Sequence, residues 1–399
     1  MKLTFKKALL LFAVIAGLHL TGTSQANFRL SEESQVSVIT FGPYQGELWS
    51  AFGHSGLRVY DPVLNINWMY DWGRFDFDQK NFYWNFARGK MLYSIGRTRD
   101  FDRYKDYYIS EDRYVYEQVL NLTLEQRQAF FEALQVNYLP ENKNYYYNYV
   151  YDNCATRIHD MTEEVLGDAV SFPLTFKEEE KSVRDLMDDY LGFQPWGDFI
   201  IDVALGLQID EEAEASTYMF LPDYIFKAFD EAVILQDGQS APLVRETNML
   251  YEAQKDPEDV GVFTPFNVFL LLFFAVGLIT NRDFKKQKRT KWIDYVLFSF
   301  ISVFGLWFVF LWFGTEHLSQ NNWNLLWAFP FHIPLIFLTG RAKLEYPLSR
   351  LYRFLAVLHA LTLVFWFLIP QPLHPALVPL LITLILRSFY ISYEEIITY

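Results

Sequence analysis

The C-terminal part of the chain constrains the fold most, because it consists largely of apolar segments long enough, or nearly so, to cross a lipid bilayer. Five such segments follow Gly261, at positions 263–280, 293–313, 325–339, 354–369 and 376–389. The third and fifth are short and contain prolines, so kinked or re-entrant segments and a count of four stay open. We predict an all-α transmembrane bundle of about five helices over residues 256–399.

Basic residues in the loops of this region predict its orientation. Lys and Arg are concentrated at 282–291, after the first apolar segment, and again at 341–353, after the third. The segments 317–324 and 371–375 contain neither residue type. Because loops rich in Lys and Arg face the cytoplasm, we expect the two basic loops inside and the other two segments outside, on the side of the N-terminal region.

The N-terminus predicts export. Lys2, Lys6 and Lys7 precede an apolar run at 8–20 and a cleavage-like Ser24-Gln25-Ala26 site, which is the pattern of a signal peptide over residues 1–26. Residues 27–255 then form a periplasmic domain anchored to the inner (cytoplasmic) membrane. The formal net charge of -14 argues against a nucleic-acid partner.

The chain contains one cysteine, Cys154, so an intramolecular disulfide is excluded although the predicted compartment permits disulfides. An unpaired exported thiol is a buried packing residue, a bridge to another chain or a nucleophile. The tyrosine-rich stretch 145–151 indicates extended chain, Asp152-Asn153 offers an N-cap, and a helical pattern continues to Gly167. Cys154 is therefore predicted in the first helical turn, where the helix dipole favours a thiolate.

A cysteine nucleophile needs a base, and the N-terminal domain has two histidines, His54 and His159. At about 100° per residue, His159 lies some 140° around the helix from Cys154, so we interpret it as a packing or surface residue. His54 begins an alternating strand pattern that ends at the turn Asp61-Pro62, and a second strand follows at 65–72. His54 is therefore the better candidate.

The predicted hairpin also suggests a third member of the site. If its loop spans 61–64, Tyr60 pairs with Asn65 and His54 with Asp71, so the Asp71 carboxylate can orient the imidazole. A slip of one residue would instead bring Tyr70 to this place. Arg157, three residues after Cys154, can add positive charge near the thiol.

The order of these residues, with a histidine on an early strand and Asn-Cys at a later helix start, resembles the circularly permuted papain-like superfamily that includes lecithin:retinol acyltransferase. The chain is more closely similar to the Lnb N-terminal periplasmic domain family, which is linked to bacterial lipoprotein N-acylation. The motifs that carry this similarity are FGHSGLRV at 52–59, FDF at 75–77, NF at 81–82, LNLT at 120–123, YNY at 147–149 and DNCATR at 152–157.

The resemblance implies an α+β, permuted papain-like periplasmic domain in which Cys154 is the nucleophile and His54 the base. It also implies a lipoprotein N-acyltransferase, with a membrane phospholipid as acyl donor and the N-terminal amine of a lipoprotein as acceptor. Four residues near the pair are expected to contact substrate: Asn153, Arg157, Arg58 and Tyr70. We predict no cofactor and no metal, since no ligand partner stands near the membrane histidines at metal-ligand spacing.

Two other functions are compatible with the same residues. The Cys154 and His54 pair can pass an acyl group to water, as in a phospholipase or thioesterase, or can attack a peptide bond. Alternatively, Cys154 merely packs and the domain is a membrane-anchored binding module. The aromatic stretches 145–151 and 82–84 are candidates to line an acyl groove, although aromatic residues at strand spacing commonly form a core or a sheet face.

Overall fold

The computed structural model describes residues 28–177, 179–255, 259–338 and 345–397. The predicted signal peptide at 1–26 lies outside the described residues, as do Arg341 and Lys343 of the second basic loop. The described chain is a sheet-rich N-terminal domain of mixed α and β structure followed by a helical C-terminal domain.

The N-terminal domain is built on two antiparallel sheets. Their strands are β1 Gln35–Phe41, β2 His54–Asp61, β3 Ile66–Arg74, β4 Met91–Thr98, β5 Val115–Leu120, β6 Asn144–Tyr147, β7 Val170–Ser171, β8 Val233–Gln236, β9 Gln239–Pro242 and β10 Val244–Tyr251. The large sheet has the order β10-β5-β1-β2-β3-β4-β6, and the small sheet has the order β7-β8-β9. The hairpin β2-β3 therefore lies at the centre of the large sheet.

Eight helices accompany these strands in the described part of the domain. They are α1 Phe82–Ala87, α2 Phe101–Ser110, α3 Leu124–Asn137, α4 Thr156–Leu166, α5 Val183–Leu191, α6 Pro195–Ala204, α7 Ala215–Tyr218 and α8 Pro222–Glu231. The local sequence determines where several of these helices begin. Thr123 and Ser182 form capping boxes with Gln126 and Asp185, which satisfy the free N–H groups that begin α3 and α5.

The two faces of the large sheet pack against different helices. Leu57 and Val59 of β2 point to the main core, which they share with Phe130 of α3, Ile158 of α4 and Phe229 of α8. A smaller core on the other face includes Ile39, Phe41, Met69 and two residues of α2, Phe101 and Tyr108. Because strand side chains alternate, the His54 face of β2 belongs to the smaller core.

The hairpin register differs from the prediction by two residues. Tyr60 pairs with Asn67, and Gly56 rather than His54 pairs with Asp71. The turn is shifted by one residue, because β2 continues to Asp61 and β3 begins at Ile66. In this turn the Asp61 carboxylate accepts hydrogen bonds from the backbone N–H groups of Val63 and Leu64. A shift of two residues keeps each side chain on its predicted face, so Asp71 stays on the side of His54.

The C-terminal domain contains the helices α9 Pro265–Lys286, α10 Lys291–Gly314, α11 His332–Ile336, α12 Glu345–Val364 and α13 Leu377–Ile397. Helices α9 and α10 are long and apolar enough to cross a membrane. The third predicted segment is broken into a short 3-10 turn, Pro330 and the five-residue α11, as its prolines suggest. The count of five spans stays a prediction.

The two domains contact each other through the segments predicted to lie outside. Asn322 donates to the backbone oxygen of Val203, and Gln371 donates to that of Leu205, at the end of α6. The backbone of Gly206 approaches residue 320 so closely that a Cβ at 206 would lie 1.9 Å from the Gln320 oxygen. Both segments poor in Lys and Arg therefore lie on the side of the N-terminal domain, as loop charge predicts.

Candidate active site at Cys154

The turn before α4 positions Cys154. The Asn153 side chain accepts the backbone N–H groups of Ala155 and Thr156 at 2.8 and 3.0 Å and so begins the helix. Cys154 lies in this turn, two residues ahead of the first helical residue, rather than within the first turn as predicted. As a residue, Cys154 is partly exposed, so a reactant can approach it.

His54 meets this thiol across 100 residues of sequence. The imidazole lies beside the Cys154 sulfur, close enough for electrostatic and hydrogen-bonding interaction, and the backbone N–H of Ser55 lies beside the same sulfur. The first residue of β2 and the start of α4 thus converge at one point. Phe41 and Tyr108 stack beside the imidazole, each with its ring centroid 6.2 Å away, and limit the orientations it can adopt.

Asp71 holds the other side of the imidazole. Its Oδ2 lies 3.3 Å from His54 Nε2, which leaves Nδ1 as the ring nitrogen for the thiol. The Asp71 carboxylate is itself fixed by Nε of Arg74, at 2.9 Å, and by the hydroxyl of Tyr104, at 3.1 Å. Cys154, His54 and Asp71 therefore lie in a row, with the imidazole between the thiol and the carboxylate.

The electrostatics favour a thiolate beside an imidazolium. Burial acts to raise the pKa of the Cys154 thiol, but the charge and hydrogen bond of His54 and the Ser55 N–H bring this pKa below its ordinary value. Burial also acts to lower the pKa of His54, yet the neighbouring Tyr108, the Cys154 sulfur and the Asp71 hydrogen bond raise it well above 6.5. Opposite shifts of this kind are typical of a charged nucleophile–base pair.

Asp71 supplies the negative charge that supports this pair. Burial acts to raise the pKa of Asp71, but hydrogen bonds from His54 and Arg74 outweigh burial and keep this pKa below its ordinary value. The carboxylate therefore stays ionised beneath the imidazole. Its role in the geometry is to orient the ring and to favour the imidazolium form.

The backbone around Cys154 offers a hydrogen-bond donor for an oxyanion. In the described part of the chain the N–H of Cys154 donates to no acceptor, so it is available to an oxyanion. Gly73 has a φ of 95°, and a Cβ there would lie 3.9 Å from that of Cys154 and 3.8 Å from the Tyr147 ring. A glycine at 73 thus provides both the backbone conformation and the space beside the nucleophile.

Two of the residues predicted to contact substrate instead build the turn. Asn153 is buried, and its amide donates to the backbone oxygens of Tyr149 and Phe220 while its oxygen caps α4. No polar atom of Asn153 is left for a ligand. Arg157 binds the Asp152 carboxylate through two nitrogens and covers the Tyr145 ring, so its charge is directed at Asp152 and not at the thiol.

The other two predicted substrate contacts lie away from the thiol. Tyr70 is fully buried on the opposite face of the sheet, where its hydroxyl accepts a hydrogen bond from Gln135 of α3. Arg58 shares the His54 face, but four residues of strand separate the two by about 13 Å. Its guanidinium donates to Asn67 and Glu117. Both residues stay predictions as substrate contacts, and spacing along a strand did not show which polar neighbours occupy their side chains.

His159 behaves as the helical angle predicts. Its ring packs against Phe172, with 4.6 Å between centroids, and faces Asp160 and Glu163 on the helix surface. Sequence reasoning missed Arg74 and Tyr104. The structure places Arg74 beside Asp71 through a bulge that interrupts the pairing of β3 with β4 between these two residues, and such bulges commonly re-aim side chains at active sites.

One group of potential metal ligands occurs among the described residues, and it lies at the domain interface. Oxygens of Asp198 and Asp202 and a nitrogen of His374 lie within 4.8 Å of one another. His374 already pairs with Asp198 at 3.1 Å, and Asp202 already pairs with Arg184 at 2.8 Å. These two ion pairs explain why the three side chains lie together, and they require no metal ion. The sequence could not show it, because Asp198 and His374 are 176 positions apart.

Comparison with known protein families finds a match for each of the two domains. Residues 25–184 match the family described as the Lnb N-terminal periplasmic domain, and residues 256–396 match the Lnb transmembrane domain. Searches of curated proteins and of solved structures gave no significant match. The resemblance drawn from the sequence motifs is confirmed, and the two matches together cover most of the chain. This membrane protein, with its periplasmic domain and helical membrane domain, therefore belongs to the Lnb family.

Proposed function

We propose that the chain is a lipoprotein N-acyltransferase of the inner membrane, with a phospholipid as acyl donor and the N-terminal amine of a lipoprotein as acceptor. The observation that supports this most directly is the row Cys154–His54–Asp71, in which the imidazole lies between the thiol and the carboxylate, in a domain seated on a membrane bundle. We further propose that the domain is a permuted papain-like fold, since its histidine strand precedes its cysteine turn.

In the first half-reaction the Cys154 thiolate attacks an ester carbonyl of the phospholipid. The carbonyl oxygen becomes an oxyanion, which the free N–H of Cys154 can stabilise. The C–O bond of the ester then breaks, and the leaving alkoxide takes the proton of the His54 imidazolium. The products are a lysophospholipid and a thioester on Cys154, with His54 now neutral.

In the second half-reaction an amine attacks the thioester carbonyl. Neutral His54 takes the proton that the amine loses, a C–N bond forms, and the Cys154 thiolate leaves. The thiolate and imidazolium are restored, and the acyl chain is held in an amide. Asp71 keeps the imidazole in place through both steps, because its carboxylate is fixed by Arg74 and Tyr104.

The full-length protein in phospholipid vesicles tests this proposal. The acceptor is a synthetic diacylglyceryl-cysteine peptide with a free α-amine, and its N-acetylated form is the control acceptor. We expect mass spectrometry to detect a third acyl chain on the free amine only, together with lysophospholipid. Cys154→Ala and His54→Ala should reduce this rate by at least about 10³-fold, whereas the matched variant His159→Ala should stay near wild type.

The possible results separate the alternative functions. Free fatty acid without acylated peptide would mean that water is the acceptor, and peptide cleavage without lipid turnover would mean a peptidase. A folded Cys154→Ala protein with full activity would leave the mechanism without its nucleophile. Each of these results contradicts the proposal.

A further inference from the structure

The connection between β3 and β4 presents a row of aromatic side chains to the outside. We call residues 75–86 the aromatic segment. Within it Tyr83 is 77% exposed and Trp84 is 57% exposed, and helix α1 buries none of its residues. Phe75, Phe77 and Phe86 are exposed as well. So large a cluster of exposed rings is unusual for a water-facing surface and marks contact with an apolar partner.

The aromatic segment lies against the outer end of a membrane helix. The ring of Trp84 is 6.1 Å from that of Phe310, one turn before α10 ends at Gly314. Just beyond α10, the backbone N–H of Glu316 donates to the oxygen of Arg88 at 2.9 Å. A Cβ on Gly89 would come within 3.0 Å of the backbone at 316 and 317. These contacts set α1 at the level where α10 leaves the bilayer.

Aromatic rings continue from this segment to the nucleophile. Phe82 lies 4.9 Å from Phe77 and 6.0 Å from Phe75, measured between ring centroids. Phe75 lies 5.2 Å from Tyr93, and Tyr93 stacks on Tyr147 at 4.4 Å. Tyr147 borders the same space as Cys154 beside Gly73. An apolar path therefore joins the membrane level to the thiol.

We propose that the aromatic segment inserts into the outer leaflet and guides an acyl chain of a membrane phospholipid along Phe75, Tyr93 and Tyr147 to Cys154. This proposal deepens the proposed function and rests on it for the identity of the reaction. The bilayer, and not a protein, is the partner, because the segment is continuous with the membrane-facing surface of α10 through Trp84 and Phe310.

The flanking charges suit this placement. Arg88 lies next to the Trp84 ring and Lys90 next to Glu316, so both cations stand at head-group level, where phosphates are found. Asp76 and Asp78 are exposed at the other end of the segment. They are expected to stay in the aqueous interface while the rings of Phe77, Tyr83 and Trp84 enter the apolar region.

Kinetics with two acyl donors test the path. The variant Phe77→Ser/Tyr83→Ser/Trp84→Ser is compared with wild type on long-chain phospholipid vesicles and on a water-soluble short-chain ester. We expect the long-chain rate to fall by about tenfold or more and the short-chain rate to stay within about twofold, because the short ester needs no guidance from the bilayer. The matched control is Met249→Ser, which replaces a 69% exposed apolar residue on β10, at the opposite edge of the sheet.

Equal losses with both donors would overturn the proposal, since the segment would then only support the site. No loss with either donor would also overturn it. The Met249→Ser variant should match wild type with both.

Cross-linking gives a readout that does not depend on catalysis. Cys154→Ala in vesicles is labelled by a phospholipid with a photoreactive group on its acyl chain, and the labelled peptides are mapped by mass spectrometry. We expect labels in residues 75–86 and at Tyr93 or Tyr147, besides the exposed face of α9 around Leu271 and Leu278. Labels on α9 alone would overturn the path. If the wild-type enzyme transferred no acyl group but these labels appeared, the proposed reaction would fail while the lipid path stood.

Discussion

Two groups of charged side chains in this protein use similar partners for different purposes. In the N-terminal domain, Asp71 binds His54 and Arg74 beside the partly exposed residue Cys154. In the bundle, Arg387 of α13 binds Asp294 of α10 and Asp283 of α9, and all three side chains are fully buried. The second group also uses the Thr280 hydroxyl and the Thr290 backbone oxygen.

The comparison shows what distinguishes a reactive site from a structural one. The bundle group surrounds Arg387 of α13 with acceptors from α9, α10 and the turn between them, so its charge is satisfied within the bundle. At the active site the residue Cys154 is partly exposed and its N–H has no acceptor among the described residues, while the carboxylate beneath the histidine is fixed on both sides. Charged side chains in a membrane domain are energetically costly unless they are paired, whereas an active site keeps at least one polar group available to bind a reactant.

The largest expected effect comes from breaking the bundle group. Arg387→Met leaves Asp294 and Asp283 buried without their main partner, which should cost about 3–5 kcal/mol of folding stability. We expect a large loss of thermal stability in detergent and little change in activity per folded molecule. The double variant Arg387→Met/Asp294→Leu should recover part of the loss, because it removes one stranded charge. An unchanged melting temperature for Arg387→Met would contradict a structural role.

Removing the charge of the active-site carboxylate should have an intermediate effect. Asp71→Asn keeps a hydrogen-bonding group beside His54 but removes its negative charge, so acyl transfer should fall by about 10- to 100-fold. The protein should remain folded. A wild-type rate would remove Asp71 from the site.

The pH profile sharpens this second prediction. In wild type the rate of thioester formation should rise as Cys154 ionises and fall only above the raised pKa of His54, since the leaving alkoxide needs the imidazolium proton. Asp71 contributes to raising the pKa of His54, so the alkaline limb should move to lower pH in Asp71→Asn. An alkaline limb at the wild-type position would contradict this assignment.

The smallest effect is expected from disturbing Arg74 indirectly. A Cβ on Gly96 would lie 1.9 Å from Nε of Arg74, so Gly96→Ala must push the guanidinium off Asp71. We expect kcat to fall by about three- to tenfold with KM nearly unchanged, because Asp71 loses one of its two supports. Combining Gly96→Ala with Arg74→Ala should lower kcat no further than Arg74→Ala alone. An additive loss would mean that Gly96 acts through another contact.

The sequence predicted the local features of the site well. The alternation of β2 identified the face that carries His54, and the helical angle separated His159 from Cys154. The register was off by two residues, yet Asp71 remained on the correct face because strand side chains repeat every two positions. Tyr70, Arg58, Asn153 and Arg157 stay predictions as substrate contacts. The hydrogen-bond partners of the first three come from distant segments, namely α3, β5 and the Phe220 turn, which the sequence did not indicate.

By itself the sequence determined which stretches are apolar, which strand face carries His54, and that a lone cysteine precedes a helix, because these properties depend on residues a few positions apart. Only the tertiary structure decided that the Cys154 sulfur meets His54, that Arg74 and Tyr104 fix Asp71, and that the aromatic segment rests on α10. These contacts join residues far apart in the chain. Their formation depends on how whole elements pack, which local periodicity does not specify.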